Sequence, residues 1–153
     1  MPLGLETASD DAPPWFLVLH LFSGPSSRPD GPSGHLCSVG ARCIDVDVVN
    51  PGPMSDLSQD HVWQRIFHLL EVHKFDCIWM GPPCCTFSLA RSGPPGPRPL
   101  RSHRHPRGLP RSNLTEPELE HLRIDNYLVD QSLLLASRAH ALGVAWAIEN
   151  PSP

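Results

Sequence analysis

The chain lacks the sequence features that mark secreted, membrane-spanning and zinc-binding proteins. Its apolar run FLVLHLF at 16–22 is too short and too interrupted to span a bilayer. The first 14 residues are acidic and rich in Pro, and do not resemble a secretory leader. The five cysteines are an odd number, and their spacing matches no zinc pattern such as two separated CxxC pairs. We therefore expect a reduced, intracellular protein with no membrane partner, no metal site and a disordered tail over residues 1–14.

The chain also has no Asp or Glu between Asp76 and Glu116. Six of its twelve Lys and Arg residues are arginines of the stretch 91–111, although the whole chain has a net charge of −4. This net charge argues against a generally cationic nucleic-acid binder. The stretch 91–114 shows no periodicity, and we expect a basic loop that is either a flexible linker or a phosphate-binding surface. The candidate phosphate contacts are four of its arginines, Arg91, Arg98, Arg101 and Arg104.

Apolar runs alternate with helical patterns along the rest of the chain. We expect strands at 16–22, 42–48, 75–80 and 144–148. A short helix is expected at 35–40, a longer one at 58–73 with Ser58 as N-cap, and a third, continuous or broken once, from the capping box at Thr115 to Gly143. This alternation predicts one α/β domain over residues 15–153. Its fold is expected to be Rossmann-like, with a mostly parallel sheet, helices on both faces and an apparently truncated set of strands.

Polar residues follow each of the expected strands. Ser23 and Gly24 follow the first, Asp45 and Asp47 end the second, Pro83 and Cys84 follow the third, and Glu149 and Asn150 follow the fourth. Ligands of parallel α/β sheets bind outside the carboxyl ends of the strands, near the switch point of the topology. We therefore expect these polar groups to share one rim of the sheet and to form the functional site.

A series of short motifs occurs in an order that is typical of one enzyme family. The motifs are LFSG at 21–24, an acid-x-acid pair at 45–47, Asp-Leu at 56–57, GPPCCTFS at 81–88 and IENP at 148–151. In this order they resemble the catalytic half of the DNA cytosine-C5 methyltransferases, over roughly residues 16–151. The family pattern around the cysteine is Pro-Pro-Cys-Gln-x-Phe-Ser, and here Cys85 stands in the place of the Gln.

The resemblance implies that Cys84 is a nucleophile. Cytosine C5 is itself a poor nucleophile, but addition of a thiolate at C6 turns the ring into an enamine whose C5 can attack an electrophilic methyl group. By the same resemblance, Glu149 would bind the N3 and amino edge of the cytosine, and Asn150 would hold the loop. The implied partner is DNA with a flipped cytosine, because the base must leave the duplex to reach the thiol. Cys85 is expected to be a small packing residue.

The methyl donor that the resemblance implies is S-adenosylmethionine. The implied cofactor-binding residues are Phe22, Ser23, Gly24, Asp45, Asp56 and Pro82. Asp45 would accept hydrogen bonds from the ribose hydroxyls, with Asp47 or a plain solvated acid as alternatives. Asp56 would read the adenine amino group, or would simply begin the helix that follows it.

Other interpretations of the same residues stay open. One is an amino-methylating DNA methyltransferase of the same fold, although those enzymes usually have an aromatic residue after Asp-Pro-Pro. A second is a catalytically inactive remnant that binds nucleic acid or a partner through the basic loop, and a third is a thiol-redox or metal protein built on Cys84 and Cys85. The family continues beyond the Glu-Asn pair. The chain is thus expected to be a fragment, a gene remnant, a divergent minimal form, or one half of a split enzyme whose partner chain supplies the rest.

Overall fold

The computed structural model describes residues 16–26, 28–72, 75–88 and 96–149. In these ranges, strands and helices alternate as the sequence predicts. The elements are β1 Leu17–Leu21, α1 Pro32–Ser38, β2 Arg42–Val46, α2 Asp60–Val72, β3 Cys77–Met80, α3 Glu116–Ala141 and β4 Ala145–Ile148, with a short 3-10 helix at Arg111–Asn113. Within the same ranges, no helix combines the length and the apolar composition needed to cross a membrane. The expected tail 1–14, Arg91 and Asn150 lie outside the described residues.

The four strands form one parallel sheet in the order β2-β1-β3-β4. From β1 the chain passes to β2 on one side, and then returns past β1 to β3 and β4 on the other. The topology therefore switches direction between β1 and β3, which is where α/β sheets of this kind open a crevice at the carboxyl ends of their strands. The predicted α/β, Rossmann-like parallel sheet is confirmed.

One face of the sheet carries the main hydrophobic core. Leu19 and Leu21 of β1 lie beside Ile78 and Met80 of β3 in the sheet, so all four side chains point to the same side. The helices α2 and α3 cover this face, since their buried residues belong to the same cluster. The buried residues of α2 recur at helical spacing and are Val62, Trp63, Ile66, Leu69 and Leu70.

The opposite face is covered near β2 by the short helix α1. Ser33 of α1 donates a hydrogen bond to Asp45 Oδ1 at 2.5 Å, and its hydroxyl lies 2.7 Å from Nδ1 of His20 in β1. His20 is only 4% exposed, and this burial lowers its pKa while the neighbouring Asp45 carboxylate opposes the shift. Helices thus lie on both faces of the sheet, as expected.

Helix α3 runs without a break from Glu116 to Ala141. Its N-terminus has the predicted capping box, in which Glu118 accepts a hydrogen bond from the backbone N–H of Thr115 at 2.8 Å. The sequence analysis left open whether this helix is continuous or broken once. No Gly or Pro occurs between Glu118 and Leu142, so neither residue type interrupts the helix there. Gly143, with a φ of +73°, follows the helix.

Most helix and strand boundaries differ from the sequence expectations by up to three residues, and two of these differences bear on the site. The expectation that Ser58 caps α2 is wrong, because the helix begins at Asp60 and Ser58 instead donates its N–H and hydroxyl to Asp56. Strand β2 ends at Val46 rather than at residue 48. Asp47 therefore lies beyond the strand, in the turn that follows it, and this decides which of the two acids reaches the functional rim.

Candidate functional site

A cavity of about 480 Å³ opens at the carboxyl ends of β1, β2 and β3. We call it the strand-end cavity. Its lining residues come from the loops after these strands, from the turn before α2 and from α3, and are Phe22, Ser23, Gly24, Arg28, Asp47, Val48, Asp56, Leu57, Ser58, Gly81, Pro83, Ile124 and Leu128. Four of the residues assigned to the cofactor from the motifs, Phe22, Ser23, Gly24 and Asp56, are thus brought together in one place.

The loop after β1 has an unusual backbone where it enters the cavity. Phe22 has a φ of +60° and Gly24 a φ of +68°, so two of three consecutive residues lie in the left-handed region. Such a conformation is costly for an aromatic residue and persists only where the surroundings enforce it. Two contacts hold Phe22. Its N–H donates to Val46 O at 2.8 Å, and its ring lies 6.4 Å from that of Trp63.

Asp47 and Asn50 fasten this loop to the turn after β2. The N–H of Gly24 donates to Asp47 Oδ2 at 2.9 Å, and Asn50 Nδ2 donates to the carbonyl of Gly24 at 3.0 Å. Asn50 Oδ1 also accepts the N–H of Ser26 at 2.9 Å. The motif analysis did not single out Asn50. The only signal for it is the Asn-Pro pair that it forms with Pro51 a few residues after a strand.

Asp45 lies away from the strand-end cavity. Its carboxylate accepts a hydrogen bond from Ser33 and lies 3.5 Å from His20 Nδ1, on the α1 face of the sheet. There it borders a separate cavity together with Cys37 and Cys43. Of the two candidate acids near the end of β2, the structure therefore brings Asp47, and not Asp45, to the predicted cofactor residues.

Asp56 lines the strand-end cavity and also organises the turn before α2. Its Oδ1 accepts from the N–H and the hydroxyl of Ser58 at 3.0 and 2.7 Å, and its Oδ2 accepts from Gln59 Nε2 at 3.1 Å. The hydrogen bonds from Ser58 lower the pKa of Asp56 and so favour its charged form. The alternative that Asp56 simply begins the helix is wrong, because α2 starts four residues later at Asp60, and its role in binding a ligand stays a prediction.

The cysteine loop after β3 is held in a tight turn. The carbonyl of Cys84 accepts the N–H groups of Phe87 and Ser88 at 2.9 and 2.8 Å, and the thiol belongs to a half-buried residue. Pro83 lines the strand-end cavity, whereas Pro82 is buried and does not. Thr86 is 3% exposed and donates to the buried carboxylate of Asp125 in α3, which pins the loop to that helix.

Glu149 follows β4 and lies beside the base of the cysteine loop. Its N–H donates to Met80 O at 2.8 Å, which extends the pairing of β3 and β4 by one bond. A Cβ built on Gly81 would lie 3.9 Å from Glu149 Oε2 and 3.9 Å from the carbonyl oxygen of Phe22. The ends of β1, β3 and β4 therefore converge at Gly81, three residues before Cys84.

Cys85 does not pack in the interior, and that expectation is wrong. The residue is exposed, and its Sγ lies 3.1 Å from His121 Nε2 and 3.6 Å from Asp125 Oδ2. Both partners belong to α3, 36 and 40 residues further along the chain. No local motif could reveal a contact over such a separation.

The basic stretch packs on α3 through its arginines. Arg101 donates to Asn126 Oδ1 at 2.8 Å, to Pro106 O at 2.7 Å and to the hydroxyl of Thr86 at 2.9 and 3.1 Å, and its guanidinium lies 3.6 Å from the centre of the Phe87 ring. Arg98 forms an ion pair with Glu118. Of the three phosphate-contact candidates in the described ranges, Arg101 is turned inward and Arg98 is paired, whereas Arg104 is exposed and takes part in neither arrangement.

Searches of protein-family models, of curated proteins and of solved structures each found no match to this chain.

Proposed function

We propose that the chain is an S-adenosylmethionine-dependent methyltransferase that acts on C5 of cytosine in DNA through Cys84. The observation that carries the proposal is the composition of the strand-end cavity. Residues that the motif order assigns to the cofactor line one cavity, although Phe22 and Asp56 are separated by two secondary-structure elements in the chain. The cavity lies at the switch point of a parallel sheet, where such folds bind nucleotide-like ligands.

The chemistry of the cavity suits this cofactor. A volume of about 480 Å³ is in the range of small-molecule sites. The carboxylates of Asp47 and Asp56 suit hydroxyl and amino groups and a positive sulfonium, and Arg28 suits a carboxylate. Leu57, Ile124 and Leu128 supply an apolar wall for a purine ring. When bound, S-adenosylmethionine supplies an electrophilic methyl group.

Cys84 directly follows Pro83 of the cavity lining, and the proposed reaction uses Cys84 and Glu149, neither of which itself lines the cavity. The thiolate of Cys84 adds to C6 of the cytosine, and Glu149 binds the N3 and amino edge and so stabilises the adduct. C5 attacks the methyl group, and the methyl–sulfur bond breaks with its electron pair going to the sulfur. The proton on C5 then passes to a base, and the ring expels the thiolate to regenerate Cys84. Because Thr86 pins the loop to Asp125, the turn that carries Cys84 is preorganised for this step.

The test of this proposal is the transfer of a labelled methyl group from S-adenosylmethionine to duplex DNA by the purified chain. We expect Cys84→Ser to lower the transfer more than about 100-fold, and Cys37→Ser, at an exposed cysteine of α1, to leave it within about 2-fold. A duplex in which every cytosine already carries a C5 methyl group should accept none. Transfer that survives Cys84→Ser, or a folded chain that binds the cofactor but transfers nothing, would contradict the proposal.

A further inference from the structure

Three potential metal ligands converge where the cysteine loop meets α3. They are Cys85 Sγ, His121 Nε2 and the carboxylate of Asp125, and these atoms all lie within 4.8 Å of one another. The sulfur lies 3.1 Å from the ring nitrogen and 3.6 Å from Oδ2, and the ring nitrogen lies 3.9 Å from Oδ1. None of the three residues lines the strand-end cavity.

The fold holds these groups together for identifiable reasons. His121 and Asp125 are four residues apart on α3, so their side chains leave the same face of the helix. Cys85 is brought to them because the next residue, Thr86, donates its hydroxyl hydrogen to Asp125. Asp125 is 2% exposed, whereas the side chain of His121 is 43% exposed, so the cluster has a buried base and an open side.

The geometry does not suit a Cys-His-Asp catalytic triad. In a triad the carboxylate orients the imidazole through the nitrogen that does not face the nucleophile. Here Asp125 and Cys85 both approach Nε2 of His121. In a triad the three groups are hydrogen-bonded one after another. Here the three ligand atoms converge on one point, as they do in a metal site.

We propose that Cys85, His121 and Asp125 bind a divalent transition metal, for which Zn²⁺ is the best match. Thiolate, imidazole and carboxylate are all zinc ligands, and three protein ligands with a fourth open position are a common zinc arrangement. Ordinary zinc bond lengths in a tetrahedron place such ligand atoms about 3.4–3.6 Å apart. The separation of 3.1 Å between the sulfur and the ring nitrogen is close to this value, and one ligand atom from each of the three residues lies within 4.8 Å of the others.

Neighbouring side chains hold the proposed ligands in place through hydrogen bonds. The hydroxyl of Thr86 accepts two N–H groups of Arg101, so its only hydrogen is left for Asp125. Metal-binding carboxylates are commonly held by such hydrogen bonds. A thiolate and a carboxylate together neutralise the charge of Zn²⁺. Arg101 donates hydrogen bonds to Thr86, Asn126 and Pro106, and so fixes the position of the Thr86 hydroxyl.

A metal at this position would join the cysteine loop to α3 and so fix the loop that carries Cys84. The inference does not depend on the proposed methyltransferase activity, because it rests only on the three ligands and their supports. A chain that binds no metal could still bind a cofactor in the strand-end cavity. A chain that transfers no methyl group could still bind a metal at this site.

The test uses Co²⁺ as a spectroscopic probe and Zn²⁺ as a competitor, with the full chain freed of metal by a chelator. We expect one equivalent of Co²⁺ to produce a thiolate-to-metal charge-transfer band that Zn²⁺ abolishes. Cys85→Ser should remove the band, and Cys37→Ser, at another exposed cysteine, should keep it. Likewise His121→Ala should remove saturable binding, and His140→Ala, at an exposed histidine on the same helix, should keep it.

Thermal unfolding provides a second readout that does not depend on the spectrum. Saturating Zn²⁺ should raise the Tm of the native chain by at least about 4 °C, and should raise that of His121→Ala by much less. His121 is partly exposed, so its replacement is expected to leave the fold intact and the comparison valid. The proposal is overturned if the folded chain binds no Co²⁺, or if the band persists in Cys85→Ser. It is equally overturned if Cys84→Ser, rather than Cys85→Ser, removes the band.

Discussion

The backbone N–H of Gly24 donates a hydrogen bond to Oδ2 of Asp47 at 2.9 Å, and so joins the loop after β1 to the turn after β2. Both residues line the strand-end cavity, whose shape therefore depends on this bond. Asp47 Oδ1 accepts a second backbone N–H, that of Val49, at 3.1 Å. Because a carboxylate offers about four lone-pair sites, Asp47 retains acceptor capacity for the hydroxyl groups of a ligand.

Replacement of Gly24 by Ala tests the importance of this loop conformation. Apart from Gly24 and its two chain neighbours, no atom lies within 4 Å of the position of an added Cβ, so the cost arises from the backbone φ of +68° and not from a clash. We expect a loss of about 1–2 kcal/mol in the free energy of unfolding, measured by urea denaturation. Gly31→Ala is the matched control, because Gly31 has a φ of −83° and should lose no more than about 0.5 kcal/mol. Equal losses in the two variants would contradict the account.

A pair of arginine substitutions separates a structural role from a role in binding phosphates. Arg101→Gln removes the hydrogen bonds to Thr86, Asn126 and Pro106 and should cost about 1–3 kcal/mol of stability. Arg104→Gln, at an exposed residue of the same stretch, should change stability by less than about 0.5 kcal/mol. Both values come from denaturant midpoints. If Arg101→Gln leaves the stability unchanged but weakens DNA binding, Arg101 contacts DNA and does not hold the inward position described above.

The start of α3 should make the chain sensitive to acid. Arg98 and the N–H of Thr115 lower the pKa of Glu118 from 4.5 to about 2. The folded-state pKa lies below that of the unfolded chain, so this contribution to stability is fully present above pH 4.5 and is lost as the pH falls towards 2. The difference in Tm between the native chain and Glu118→Gln should therefore shrink over that interval. A difference that is the same at pH 6 and pH 3 would contradict the assignment.

The fold could be predicted because its signals are local. The apolar runs of β1 and β3, the helical spacing in α2 and the capping box of α3 each depend on residues close together in the chain. The position of Ser23, Gly24 and Asp47 at one end of the sheet could be predicted from the parallel topology alone. The choice between Asp45 and Asp47 depended on which residue ends β2. Local sequence patterns predict the end of a strand only to within a few residues, and the difference here is two residues.

The remaining features of the site depend on contacts between distant segments. Cys85 meets His121 and Asp125 across 36 and 40 residues, and Arg101 meets Asn126 across 25. Composition shows that residues 91–111 are basic, but it does not show that α3 presents partners for these arginines. A spacing search for zinc ligands looks along one segment and so misses a site whose ligands come from a loop and a helix.

Calorimetric titration of the purified chain with S-adenosylmethionine tests the central claim most directly, with Asp47→Ala, Asp56→Ala and Asp45→Ala as variants. We expect saturable binding at about one equivalent. It should be lost or at least about 10-fold weaker in Asp47→Ala and Asp56→Ala, whose carboxylates line the strand-end cavity, and nearly unchanged in Asp45→Ala, whose carboxylate is held by Ser33 and His20. Circular dichroism of each variant establishes that it is folded. A folded native chain that binds no S-adenosylmethionine, or binding that only Asp45→Ala abolishes, would contradict the assignment of the cavity.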